Sequence, residues 1–245
     1  GPALSLELPT TDEWPLRQRL DGERETLGHY LSGHPFDPYR EEVRQLVGAD
    51  LGELDRLWAA GANGEKRSWR PEVQVVVAGM VTGVRRKGDS QLFVQLEDGR
   101  GRLECSVFSD SAAEFAGLLV RDRVLVVQGG LREDEFSGGF SLRLRQAWDF
   151  EQLCAQHAQR LSLRLDLRDP HTWDRVDAVL ARHRPGPTPL RLHVQVGRRG
   201  AQGATGVLDL NGAHGVRVAP PLLDELRAQP GVRAVKVAIA RPWAH

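Results

Sequence analysis

The residues best suited to chemistry in this chain are cations and aromatic rings set into runs that alternate with apolar side chains. Arg85, Arg86 and Lys87 end a Val-rich run, Phe93 lies within Gln91 to Glu97, Arg102 and Phe108 bracket the next run, and Arg143 and Arg145 lie within Phe140 to Trp148. Clustered cations neutralise phosphates, and an exposed ring can stack on a nucleobase for about 1–3 kcal/mol. Together they predict a surface for single-stranded nucleic acid. With four to six phosphate contacts, log affinity would fall with log salt at a slope of about −3 to −4. The competing reading puts Phe93 and Phe108 against a neighbouring element and leaves the arginines as a solvated face.

Other constellations point elsewhere less clearly. His29 and His34, two of the eight histidines, lie close together but across a helix stop, which suits turn and surface residues better than metal ligands. Gly197, Gly200, Gly203 and Gly206 space a stretch that holds Arg198 and Arg199 and could cradle an anion, but no Lys-Ser/Thr follows as a phosphate-binding loop requires. A hairpin is expected there. Neither a Gly-x-Ser-x-Gly nor an Asp-x-Asp motif is present, so no hydrolytic nucleophile or two-metal site is indicated. The expectation is therefore a chain with no catalytic residues, no metal and no cofactor.

The elements that must carry the cationic and aromatic residues read as strands. Val73 to Arg86 is a long β-branched run, with Gly79 and Gly83 where a barrel strand bends. Gln91 to Glu97 sets Leu92, Val94 and Leu96 against Phe93 and its polar neighbours, and Arg102 to Phe108 sets Leu103, Cys105 and Val107 against the other face. Lys87 to Ser90 reads as a turn between the first two strands, and Asp98 to Gly101 as the next turn. A helix from Ser109 to Leu119 is expected, then strands Arg123 to Leu131 and Phe140 to Trp148 around a Gly138-Gly139 hairpin. Three strands, a helix and two strands is the order of a five-stranded OB-fold barrel, whose second and third strands and neighbouring loops commonly take oligonucleotides.

Two further segments flank this barrel in a multi-domain α+β chain. Before it, a helix is expected over Leu16 to Leu31, a stop at Ser32-Gly33-His34-Pro35, a helix Pro38 to Val47 capped by Asp37, a short helix Leu51 to Ala59, and a linker Ala60 to Arg70. After it come a strand Leu161 to Leu167, a helix Pro170 to His183 capped by Asp169, strands Leu190 to Val196 and Gly206 to Leu210, a short strand near Val216, a helix Pro220 to Gln229 and a strand Val232 to Ala240. The expected boundaries are 1–60, 61–150 and 151–245.

Charge follows the same seams. The 245 residues carry 33 basic and 33 acidic side chains, a balance that excludes a uniformly basic nucleic-acid coat. By segment the net charges are −6, 0 and +6. Two cysteines, Cys105 and Cys154, without a Cys-x-x-Cys suggest neither a disulfide scaffold nor a zinc knuckle, and the default compartment is a reducing cytoplasm. The uncharged run Val73 to Val84 has 12 residues, too few to span a bilayer, so no membrane role is expected. Gly1-Pro2 reads as a protease-site remnant and Met80 is the only methionine, so the chain is expected to be a piece of a longer protein.

Two stretches carry a resemblance. Leu20 to Pro35, ending Leu31-Ser32-Gly33-His34-Pro35, resembles the stretch between the fingers region and the OB domain of bacterial DNA polymerase III alpha subunits. Leu96 to Glu104, with Glu97-Asp98-Gly99-Arg100-Gly101, and Asp134 to Gly139 resemble the OB domain of the same family. The resemblance implies a C-terminal region of a replicative polymerase, downstream of its catalytic carboxylates, with an OB domain near single-stranded template DNA and residues 151–245 binding the tau subunit of the clamp loader. No Gln-x-x-(Leu/Met)-Phe string for the beta sliding clamp is present. Ser90 and Asp89 stand where the family often has a basic residue, and the chain ends in a basic aromatic tail, Arg241-Pro242-Trp243, which would favour an acidic surface on tau. The alternatives are an OB-fold used purely as a protein-interaction scaffold within the replisome, and an anticodon-binding piece of a tRNA synthetase, against which the Gly33-His34-Pro35 stretch weighs.

Overall fold

The computed structural model describes residues 33–62, 72–88, 91–108, 113–134, 138–197 and 203–244. The expected helix Leu16 to Leu31, most of the Ala60 to Arg70 linker, Asp89 and Ser90, and the Ser109 cap lie outside these residues.

Five strands form a closed barrel in the order β1-β2-β3-β5-β4, with β1 at Val73–Lys87, β2 at Gln91–Glu97, β3 at Arg102–Phe108, β4 at Val124–Asp134 and β5 at Gly139–Asp149. All neighbours pair antiparallel except β3 and β5, whose parallel pairing closes the barrel. This is the OB-fold that the strand order predicts. The alternation in β2 and β3 holds: Leu92, Val94, Leu96, Leu103, Cys105 and Val107 fill the interior together with Val75, Val77, Leu125 and Val127. A bulge falls between Val81 and Gly83 and bends β1. The helix expected through Leu119 ends earlier, for helical residues stop at Phe115 and a turn follows, with Phe115 buried in the barrel core.

β1 and β4 are apolar on both faces, and the packing explains why. Ala78, Met80, Val124 and Val126 point out of the barrel into a second core shared with Phe36, Val43, Leu46 and Phe150 and with the C-terminal sheet. A strand covered on both sides shows a continuous run of apolar residues instead of alternation.

That sheet has the order β8-β7-β6-β9, with β6 at Ala158–Asp166, β7 at Leu190–Val196, β8 at Ala204–Leu210 and β9 at Val232–Ile239. β6 and β7 run parallel, and the other pairs are antiparallel. Two helices cross one face at Thr172–Ala181 and Pro220–Ala228, burying Val176, Leu180, Leu222 and Leu226 against Leu161, Leu163 and Val235. Thr188 and Val216 form an isolated bridge where the short strand is expected.

Several boundaries differ from expectation for local reasons. Asp37 does not cap a helix: residues Asp37–Tyr39 are a 3-10 turn, and its carboxylate accepts the His34 N–H at 2.7 Å and pairs with Arg40. The first α-helix, α1, is Arg40–Leu46. A capping box between Asp50 and Glu53 starts a 3-10 turn that leads into α2, Leu54–Ala62, which begins and ends three residues later than expected. Asp169 likewise caps no helix, its carboxylate accepting the His171 N–H at 2.9 Å within the preceding turn. A helix that the sequence reading passes over, α3 at Phe150–His157, is capped by Asp149, which accepts the Gln152 N–H at 3.0 Å. In chain order the helices Thr172–Ala181 and Pro220–Ala228 are α4 and α5.

The N-terminal residues are bound to both sheets. Asp98, buried in the β2–β3 turn, accepts the backbone N–H groups of Leu51, Arg100 and Gly101, each at 2.8 Å, and its carbonyl accepts Arg40 at 2.5 Å. Arg100 reaches back to Asp50 at 2.5 Å. On the other side, buried Glu42 of α1 pairs with Arg227 of α5. The C-terminal tail is docked as well: Trp243 packs on Trp148 of β5 with ring centroids 4.8 Å apart, and Arg241 donates to the Gln45 carbonyl at 2.6 Å. Both cysteines are free and buried. Burial pushes the Cys105 thiol well above the usual range and the Cys154 thiol up to about 12.

Candidate nucleic-acid interface

Strand register decides which of the expected residues share a surface. Arg85 pairs with Phe93, Phe93 with Ser106, and Ser106 with Arg143, so one rung runs Arg85, Phe93, Ser106, Arg143 across β1, β2, β3 and β5. The neighbouring outward rung runs Lys87, Gln91, Phe108. Phe93 and Phe108 are therefore diagonal neighbours, with backbones about 7–8 Å apart. Both rings lie on the barrel exterior outside the two apolar cores, Phe93 half-buried and Phe108 40% exposed.

Each ring carries a guanidinium. Arg85 lies 4.3 Å from the Phe93 ring centre and Arg143 lies 4.9 Å from that of Phe108. Arg85 also pairs with Glu104 at 2.9 Å. An exposed cation–π contact is worth about 0.5–1 kcal/mol, and an exposed ion pair about 0.2–1 kcal/mol. Stacking a base on the ring is worth about 1–3 kcal/mol. Stacking by a base can therefore compete with either guanidinium for its ring.

The other three expected residues fall elsewhere. Arg86 pairs in register with the inward-facing Leu92, so alternation turns it away from the Arg85 and Lys87 side. Arg85, Arg86 and Lys87 are all strand residues of β1, which runs one residue further than expected, into the predicted turn. Arg102 sits at the far end of β3, paired with Glu97 at 3.0 Å. Arg145 is held by Glu72 at 2.8 Å, and Arg132 pairs with the same carboxylate. Burial of Glu72 opposes its ionisation, but the hydrogen bonds from Arg132 and Arg145 outweigh it and hold the carboxyl down at about 2. Ser106 and Gln91, which the sequence reading does not single out, complete the two rungs. The Asp98 to Gly101 turn carries the signal for them, because a tight turn there pairs Glu97 with Arg102 and fixes every rung above.

The closed five-stranded barrel is an OB-fold, and residues 75–149 match the family described as OB-fold nucleic acid binding domain. The resemblance carried by the two motif stretches is borne out. Over 99% of its length the chain is 58% identical to DNA polymerase III subunit alpha of Xylella fastidiosa (strain Temecula1), and over 74% it is 35% identical to the subunit of the same name from Escherichia coli K12. It spans about a fifth or less of these curated relatives, 20% of the first and 15% of the second. Among solved structures, asparaginyl-tRNA synthetase from Pyrococcus horikoshii is similar over 33% of this chain and 19% of that one, with 24% identity and a TM-score of 0.30. A likeness of that size carries no functional weight. Among the described residues no group of three or more His, Cys, Asp or Glu side chains could hold a metal ion, and no helix is long and apolar enough to cross a membrane.

Proposed function

We propose that the barrel within residues 61–150 binds single-stranded DNA on the face formed by Arg85, Lys87, Phe93, Phe108 and Arg143, as part of a DNA polymerase III alpha subunit working in replication. The observation that carries this reading is the rung Arg85, Phe93, Ser106, Arg143 beside Lys87, Gln91, Phe108. It alternates stacking surfaces with cations and is not covered by the N-terminal or C-terminal residues described. Arg86, Arg102 and Arg145 are assigned a secondary part, as cations that contact phosphates only where the strand runs past the two rungs. The scaffold alternative calls for rings packed under another element, and the exposure of Phe108 speaks against it.

In this reading the chain itself is non-catalytic and the polymerase carboxylates lie in another part of the protein. Residues 151–245 form the unit that tethers the polymerase to the clamp-loader tau subunit. The resemblance to alpha subunits supports this, as does the edge strand β8, which leaves Val207 and Leu208 exposed beside unpaired backbone groups of the kind a protein partner can extend. Anisotropy of labelled oligo-dT titrated with the chain at several salt concentrations tests the DNA reading. Three phosphate contacts give a slope of log affinity against log salt of about −2, at about 0.7 per contact. Absence of binding at low salt overturns it. Capture of the chain by tau, lost on removing 151–245, tests the second part.

A further inference from the structure

The face of the C-terminal sheet opposite α4 and α5 is not apolar. Alternation places Arg160, Ser162 and Arg164 of β6 on it, with Arg191 and His193 of β7 and Lys236 of β9. α1 stands over one side and contributes Arg40 and Arg44, leaving an open groove of about 960 Å³. Carboxylates in the surroundings already hold some of these cations: Asp37 pairs with Arg40, Asp50 with Arg44 and Asp209 with Arg191, and Glu41 lies 3.7 Å from Arg227. Among the described residues no carboxylate lies within 4 Å of Arg160, Arg164 or Lys236, all of which are exposed.

We infer that this groove binds the phosphate backbone of double-stranded DNA, as a second nucleic-acid surface separate from the barrel face. Its chemistry favours a duplex over the other polyanions. Among the described residues the open face bears no Phe, Tyr or Trp on which an unpaired base could stack and only the small His193 imidazole, in contrast to Phe93 and Phe108 on the barrel. Its lining sets Arg40, Arg44, Arg160, Arg164 and Lys236 against Asp37 and Glu41, an excess of positive charge of the kind protein–DNA interfaces carry. Arg160 and Arg164, four residues apart on β6, stand about 13 Å apart at about 3.3 Å per residue. A duplex, with one charge per about 1.7 Å of axis, presents about eight charges over that distance. Lys236 pairs with Ser162, midway between them. Contacts of this kind position a duplex without reading its sequence.

The test uses the full chain carrying Arg164→Glu and Lys236→Glu, with anisotropy of a labelled 20-base-pair duplex and of a short oligo-dT measured in parallel. The double reversal should lower duplex affinity at least about tenfold and flatten its salt slope by about 2, at about 0.9 per phosphate. Oligo-dT affinity should stay within about twofold, which separates this surface from the barrel face. Arg164→Gln with Lys236→Gln should give an intermediate loss, and an unchanged circular dichroism melt shows that folding is intact. Duplex affinity unchanged by either pair overturns the inference, as does an equal loss for oligo-dT, or retention of an acidic protein partner by a chain that binds no duplex.

Discussion

Asp98 accepts the backbone N–H of Leu51 at 2.8 Å across 47 residues of chain. With the Arg100 and Gly101 N–H groups on the same carboxylate, one side chain holds the β2–β3 turn and the start of the α2 segment together. Gly99 in that turn lies against His34. The described end of one stretch that carries the polymerase resemblance, Gly33-His34-Pro35, therefore meets the other at its Asp98-Gly99 turn. Their shared work is to anchor the chain entering the barrel on the side of β2 and β3 that leaves the outward rungs open.

Asp98→Ala removes the acceptor from three N–H groups at a buried position. At about 1–3 kcal/mol for each donor left without a partner, it should destabilise the chain by about 3 kcal/mol or more. Urea unfolding measures this, and limited proteolysis should show faster cleavage between residues 33 and 54. A loss below about 1 kcal/mol would mean that water replaces the carboxylate and the joint is not buried in solution.

Gly99→Ala should loosen the same joint by a different route. Gly99 has φ +80°, and a Cβ there would sit 2.9 Å from the His34 Cβ. A left-handed residue that gains a Cβ costs about 1–2 kcal/mol before the contact is counted. The melting temperature should fall, and His34→Gly in the same chain should recover the part due to contact but not the part due to φ.

These joints mark the limit of what sequence alone conveys. The barrel was legible because β2 and β3 each have one buried and one outward face, so Leu92, Val94 and Leu96 announce themselves by period two. Phe93 and Phe108 followed from the same alternation. Arg143 could be put on a strand but not beside Phe108, since that needs the parallel β3–β5 pairing, which no local signal encodes. Arg145 and Arg143 look alike in sequence, and only Glu72, 73 residues away, distinguishes the held cation from the one over the ring. α3 escaped notice because its eight residues are too few to display a clear helical period, although Asp149 as its cap was there to be read.

Acid should weaken the contact that holds Arg145 and Arg132. The Glu72 carboxyl is depressed from 4.5 to about 2, so its contribution to stability is fully present above pH 4.5 and is lost as the pH falls towards 2. Glu72→Gln should remove that part of the acid dependence while leaving the stability curve above pH 5 parallel to that of the unaltered chain. Urea unfolding at a series of pH values reads the difference. Identical slopes below pH 4.5 would contradict the pairing.

The Glu42 and Arg227 pair joins α1 to α5, with Glu42 1% exposed. Burial raises the Glu42 carboxyl above its usual range even though Arg227 pulls it down. Arg227→Ala leaves that carboxyl without its cation and should cost about 3 kcal/mol. Replacing both residues, Glu42→Leu with Arg227→Met, should recover most of the loss, because an apolar pair avoids the desolvation that the ions incur. Equal losses for the single and double variants would show that packing of the arginine stem, not charge, holds the helices together.

On the proposed function, the outward rungs of β2 and β3 bind single-stranded DNA by stacking bases on Phe93 and Phe108. Anisotropy of labelled oligo-dT with the chain carrying Phe93→Ala and Phe108→Ala tests it most directly, since neither ring belongs to either apolar core and the fold should persist. At about 1–3 kcal/mol per stacked base, affinity should fall by at least about thirtyfold, with the salt slope unchanged because the phosphate contacts remain. Affinity within about threefold of the unaltered chain, with an intact fold, would show that the rings do not hold the strand.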